Sequence, residues 1–221
     1  MMRIGFIVSI SCFALLSFLH LVFCFMEKEK ERRITKPFLM LTLAFSMFFL
    51  APEFPLLPLS VLFCMVGDIF MLFKHRMSLF SLGALMFALS HSLNFVLVLR
   101  SLSYSFPWYG YLILALVFFL LVILGYFVYG KKKYGMVVFG FSFFHLSMLF
   151  SSLLLMLDGK VLYGALLLSG YLLCIFSDLF LDYTTHKKDV RRRDFYIMLS
   201  YLSGEILIFF SIAFLSLSSL V

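Results

Sequence analysis

The sequence predicts an all-α polytopic membrane protein, an eight-transmembrane-helix bundle, and three observations predict it. Of the 221 residues, 64% are hydrophobic and only 13% are charged, against about 45–50% apolar and about 25% charged in soluble domains. The charges fall in short clusters, and the apolar runs between them approach the roughly 20 residues that a spanning helix needs. The basic residues gather in alternate connections, as the ends of successive spans do when a chain crosses a membrane back and forth.

The first span, about 4–26, follows Arg3 in the manner of a secretory leader. Its apolar stretch exceeds the roughly 7–15 residues of a leader core and no A-x-A-like cleavage site follows, so it is expected to be retained. The second, about 37–51, is the shortest. The third, about 55–73, carries Asp68, and the fourth, about 78–99, carries His91 and Asn94. The fifth and sixth follow at about 108–129 and 136–157, with His145 in the latter. The seventh, about 161–183, holds Asp178 and Asp182, and the eighth, about 195–217, holds Tyr201 and Glu205. These spans leave no room for a soluble domain, so residues 1–221 form one transmembrane domain and any site is built among helices. Cys12, Cys24, Cys64 and Cys174 lie inside spans without a CxxC pair. They suggest neither a disulfide framework nor a zinc ribbon and are expected to pack as small apolar groups.

The connections after spans one, three, five and seven hold 15 of the 18 basic residues, in the clusters 28–36, 74–76, 131–133 and 187–193. Arg3, Arg100 and Lys160 fall on the other side. The positive-inside rule then puts the odd-numbered connections in the cytoplasm and both termini outside. The expected location is a cell membrane of the bacterial inner-membrane kind. A net charge of +7 does not point to nucleic acid, because the basic residues flank helices rather than interleave with aromatics on one face. They are topology signals that meet anionic lipid.

An ionisable group deep in a span is unfavourable by about 2.5–3.5 kcal/mol or more, so its presence asks for a use. Asp68 lies about five residues, roughly 8 Å, from the inner end of its span. Asp178 lies at a similar depth, and Asp182, one turn on, is expected to reach the interface as an anchor. His91 and Asn94 share a helix face, as do Tyr201 and Glu205, so Glu205 is expected to partner Tyr201. His20 and His145 are expected to serve packing. The economical arrangement turns the polar groups into one interior cavity.

A shift of 110 residues lays LFCMVGDIF, 62–70, over LLCIFSDLF, 172–180, so that Cys64 meets Cys174 and Asp68 meets Asp178. Matching leucine and phenylalanine mean little in this composition. A rare cysteine and a rare aspartate at the same spacing suggest an internal duplication: two parallel four-helix repeats, about 1–107 and 108–221, with the two aspartates at equal depth on opposite walls of a cleft.

FCMVGDIFML in span three, SLGALMFALSHSLNF in span four, GALLLSGYLLCIFSDLFL in span seven and IMLSYLSGEILI in span eight resemble the lysoplasmalogenase family of YhhN-like membrane proteins. The resemblance covers most of residues 55–212, with its specificity in Gly67-Asp68, His91, Ser177-Asp178 and Tyr201. It implies an eight-helix hydrolase, acting without cofactor or metal, that cleaves the vinyl-ether bond of a lysoplasmalogen to a fatty aldehyde and glycerophosphoethanolamine or glycerophosphocholine. Where the family commonly has glutamine four residues after the tyrosine, this chain has Glu205. The expected catalytic residues are Asp68, Asp178, His91 and Tyr201, with Asn94, Ser177 and Glu205 as substrate contacts.

Such chemistry needs an acid and then a base. Vinyl ethers resist base but hydrolyse when the carbon β to oxygen is protonated, giving an oxocarbenium ion that water captures. Two carboxylates in a partly dry cleft can divide those tasks, as they do in glycosidases. Three other classes find less support in the sequence. No GxSxG elbow supports a serine hydrolase. A zinc hydrolase would need His20, His91 and His145 with an aspartate, and neither HExxH nor HxxxH occurs in a span. A proton-coupled transporter could also use paired intramembrane carboxylates, though no Pro breaks the middle of spans three and seven.

Overall fold

The computed structural model describes residues 2–73, 76–103, 107–129, 135–186 and 190–218. Lys74, Lys131, Lys132, Lys133, Lys187 and Lys188, all counted among the inner-face charges, lie outside the described residues, as does the side chain of Asp182. Among the described residues there are eight helices and no strand: α1 (Met2–Phe25), α2 (Glu29–Leu50), α3 (Leu56–Met71), α4 (Met77–Arg100), α5 (Trp108–Tyr129), α6 (Gly135–Leu157), α7 (Val161–His186) and α8 (Arg193–Ser218).

By length and composition, five stretches suit a membrane crossing: α1, α2, Ser78–Arg100, Val161–Leu181 and α8. They suggest a helical membrane protein. Leu56–Met71, Trp108–Leu124 and Phe143–Leu157 are apolar but shorter. The 16 residues of α3 rise about 24 Å, less than the roughly 30 Å of a bilayer core.

The largest departure from the hydropathy reading is the start of α2, at Glu29 instead of residue 37. The charged run before the apolar stretch is made of good helix formers, and Glu29 and Glu31 sit in the first turn where the helix dipole favours anions. Glu29 also meets Arg33 one turn on, at 2.6 Å. Lys36 therefore belongs to a helix and not to a connection, a correction that changes what its charge does.

Sequence neighbours pack on one another from α1 to α4 and again from α5 to α8, and α4 packs on α6. The last helix occupies the middle, touching α1, α2, α3, α4 and α7. Its interior face is lined by residues such as Met198, Leu202, Gly204, Glu205, Ile208 and Ile212. Close approach of α7 and α8 depends on two glycines: a Cβ on Gly170 would stand 2.8 Å from the Gly204 carbonyl oxygen, and one on Gly204 would stand 2.7 Å from that of Gly170. Small residues permit such crossings where lipid supplies no hydrophobic drive between helices.

Polar latches join connections at each end of the bundle. At one end Arg32 pairs with Asp194, the Arg192 guanidinium lies 3.7 Å from the centre of the Phe25 ring, and the Arg192 N–H donates to Glu27 at 3.2 Å. At the other, Asp158 accepts from the Ser103 N–H at 2.8 Å and its hydroxyl at 2.7 Å, and pairs with Lys160 at 3.0 Å. The α1–α2 and α7–α8 connections thus share one end, and the α4–α5 and α6–α7 connections the other.

Candidate active site

Asp68 is set by α3 against α4 and α8, with its side chain 4% accessible. Lys36 reaches it from α2, Nζ to Oδ1 at 2.9 Å, and the Tyr201 hydroxyl of α8 donates to Oδ2 at 3.1 Å. The neighbouring Gly67 lets α4 come close, for a Cβ there would stand 2.9 Å from the Phe87 ring.

Asp178 differs in each respect. Its side chain keeps 41% of its surface accessible, and its partner is His145 of α6, Nε2 to Oδ2 at 3.6 Å. Leu172, Phe176, Leu179 and Tyr183 form an exposed stripe along α7, whereas at 100° per residue Asp178 falls on the opposite, bundle-facing side, between the buried Tyr171 and Cys174. Lys36 and Asp68 act on it electrostatically.

From His145 a row of polar rings runs inward. The His145 and His91 rings lie 5.0 Å apart edge to face, and His91 Nδ1 faces the buried Tyr171 hydroxyl at 3.4 Å. Asn94 belongs to the same group, hydrogen-bonded to Tyr171 through its side chain, while its Oδ1 has no protein partner. A buried amide oxygen left in that state is a ready acceptor for water or substrate.

Glu205 and Ser177 fall elsewhere. Glu205, 3% exposed, faces the Cys174 thiol at 3.8 Å and also bonds Cys64. Tyr201 takes Asp68 as its partner, so the expected Tyr201–Glu205 pairing is replaced by one across helices. Ser177 donates to the Ile197 carbonyl at 3.0 Å and is 2% exposed. The α7–α8 contact therefore occupies its hydroxyl.

The structure brings together Asp68 with Tyr201, and Asp178 with His145, His91 and Tyr171. It joins them through α8, which touches both α3 and α7. Two partners of the aspartates, and Tyr171 behind them, escaped the sequence reading. Lys36 looked like a topology signal, and its position immediately before an apolar run was the available hint. His145 was assigned to packing. His20 bonds Thr35 at 2.6 Å between α1 and α2, away from the His91–His145 pair, and among the described residues no group of three or more His, Cys, Asp or Glu is placed to hold a metal ion. The arrangement offers one buried, cation-paired carboxylate and one more accessible carboxylate beside an imidazole, a set suited to moving protons within the bundle.

The sequence model of the YhhN family matches residues 31–212 of the chain. No curated protein and no solved structure matches it.

Proposed function

Because the chain belongs to the YhhN family, we propose that it is an integral membrane lysoplasmalogenase, hydrolysing the vinyl ether of a lysoplasmalogen by carboxylate acid/base chemistry. The observation that carries this reading is the contrast between Asp68, buried and paired with Lys36, and Asp178, more accessible and beside His145. Acid/base tasks divide most readily between carboxyl groups whose surroundings differ.

In this mechanism the substrate's single chain stays among the helices and brings the vinyl ether to Asp178. The Asp178 carboxyl gives its proton to the carbon β to oxygen, the double bond supplies the electron pair, and the positive charge settles on the adjacent carbon and the ether oxygen. Asp68, with the Tyr201 hydroxyl it orients, supplies compensating negative charge. Water held near His91 and Asn94 adds to the cation and returns a proton to Asp178. The hemiacetal then breaks into the fatty aldehyde and the free hydroxyl of the glycerophospho head group. One water is consumed and the acid is regenerated.

The membrane arrangement proposed with it has eight crossings, both termini outside, in a cell membrane of the bacterial inner-membrane kind. Two parallel repeats of four helices, meeting near residue 107, underlie it. Supporting the repeat, the close approach of Gly67 to Phe87 has its counterpart 110 residues on, where Ser177 bonds Ile197. The same shift lays His91 over Tyr201.

The row His145–His91–Tyr171 also favours a second reading, a proton-coupled carrier. Two assays separate them: aldehyde release from a lysoplasmalogen by detergent-purified protein, and proton-driven flux in liposomes. Aldehyde release that is lost in Asp178→Asn supports the hydrolase, and flux without hydrolysis supports the carrier.

A further inference from the structure

Each site aspartate takes a basic partner from the helix preceding its own, and the two partners are chemically unlike. Asp178 faces the His145 imidazole, a ring that in its neutral form has one donor and one acceptor nitrogen. Asp68 faces the Lys36 ammonium, which has three donors and no acceptor. Its Oδ1 therefore cannot direct a proton at its partner, while Oδ2 accepts from Tyr201. Both oxygens meet donors, and with 4% of the side chain accessible no bulk water competes. A buried carboxylate deprived of its cation would instead take up a proton.

We propose that Lys36 is a positioning residue that fixes Asp68 as the permanent anion of the site, leaving Asp178 to carry the transferable proton. The assignment of the proton's destination rests on the hydrolase reading; the charge of Asp68 does not. Among the described residues, the other ionisable groups that act on this pair include Glu205 of α8, Asp178 of α7, Cys64 of α3 and, on the α1 side of Lys36, His20 and Cys24.

Infrared spectra of the full-length protein in detergent read the charge directly, because a protonated carboxyl has a C=O stretch well separated from that of a carboxylate. Lys36→Met should gain one protonated-carboxyl band that the double variant Lys36→Met/Asp68→Asn lacks, and Lys36→Arg should resemble wild type. Asp68→Asn should remove no such band from the wild-type spectrum, a comparison that stands even if Lys36→Met fails to insert. A wild-type band lost in Asp68→Asn, or a Lys36→Met spectrum identical to wild type, overturns the proposal.

Turnover of lysoplasmalogen gives the second readout. Lys36→Met should lower kcat about 100-fold or more with KM nearly unchanged, and Lys36→Arg should recover to within about tenfold of wild type. Recovery of the wild-type rate in the double variant would make the pair a structural tie and overturn its place in the site. Wild-type protein that shows the expected infrared pattern and releases no aldehyde supports the charge assignment and rejects the hydrolase reading.

Discussion

Glu205 lies 3% exposed with its Oε1 3.8 Å from the Cys174 thiol, while the tyrosine one turn before it bonds Asp68. A carboxyl so placed contributes hydrogen-bonding arms to the α7–α8 contact more than it contributes a proton to a substrate. Glutamine keeps the length and the arms, so Glu205→Gln should retain at least about a tenth of the wild-type aldehyde release, a loss of no more than about 1.4 kcal/mol in barrier. A fall as deep as that of Asp178→Asn would move the acid to α8. The aspartates were legible in the sequence because a charge inside an apolar run is unfavourable enough to demand a reason. Lys36 was not, because it ends a charged run and hydropathy does not say toward which neighbour a helix face turns. Nor was His145, since a lone histidine on an apolar helix satisfies packing as readily as chemistry. Only the placement of α2 against α3, and α6 against α7, separates those cases.

At the scale of elements, α8 is the part on which the others converge. Its Gly204 and the Gly170 of α7 bring the backbones together closely enough that an added Cβ would meet a carbonyl oxygen at under 3 Å. Backbone cannot step aside as a flexible side chain can. Gly204→Val should thus cost about 1–3 kcal/mol of overpacking, read as a lower midpoint of thermal unfolding in detergent. Because the displaced helix also carries Tyr201, turnover should fall with it. An unchanged midpoint would contradict the close crossing. Seven of the helices have starts within a few residues of where hydropathy puts them. The start of α2 differs because polar residues of high helix propensity prolong a helix beyond its apolar stretch.

For the whole molecule, the latches place the α1–α2 and α7–α8 connections at one end and α4–α5 and α6–α7 at the other, as an up-and-down chain requires. The basic excess of the odd connections then predicts that a cysteine replacing Lys132 reacts with an impermeant reagent only after the inner face is opened. Labelling in intact cells would invert the bundle. Protonation of an enol ether needs a proton donor and no Lewis acid, so EDTA should leave turnover unchanged. Loss on chelation, restored by zinc, would call for a metal mechanism. The most direct measurement of the central claim is aldehyde release from a defined lysoplasmalogen by the detergent-purified protein, followed through a coupled dehydrogenase. Wild type should release aldehyde and glycerophospho head group in equal amounts, and Asp68→Asn and Asp178→Asn, still inserted and folded, should each lose about 100- to 10,000-fold. Folded wild-type protein that releases no aldehyde, or an Asp178→Asn variant that turns over at the wild-type rate, would contradict the account.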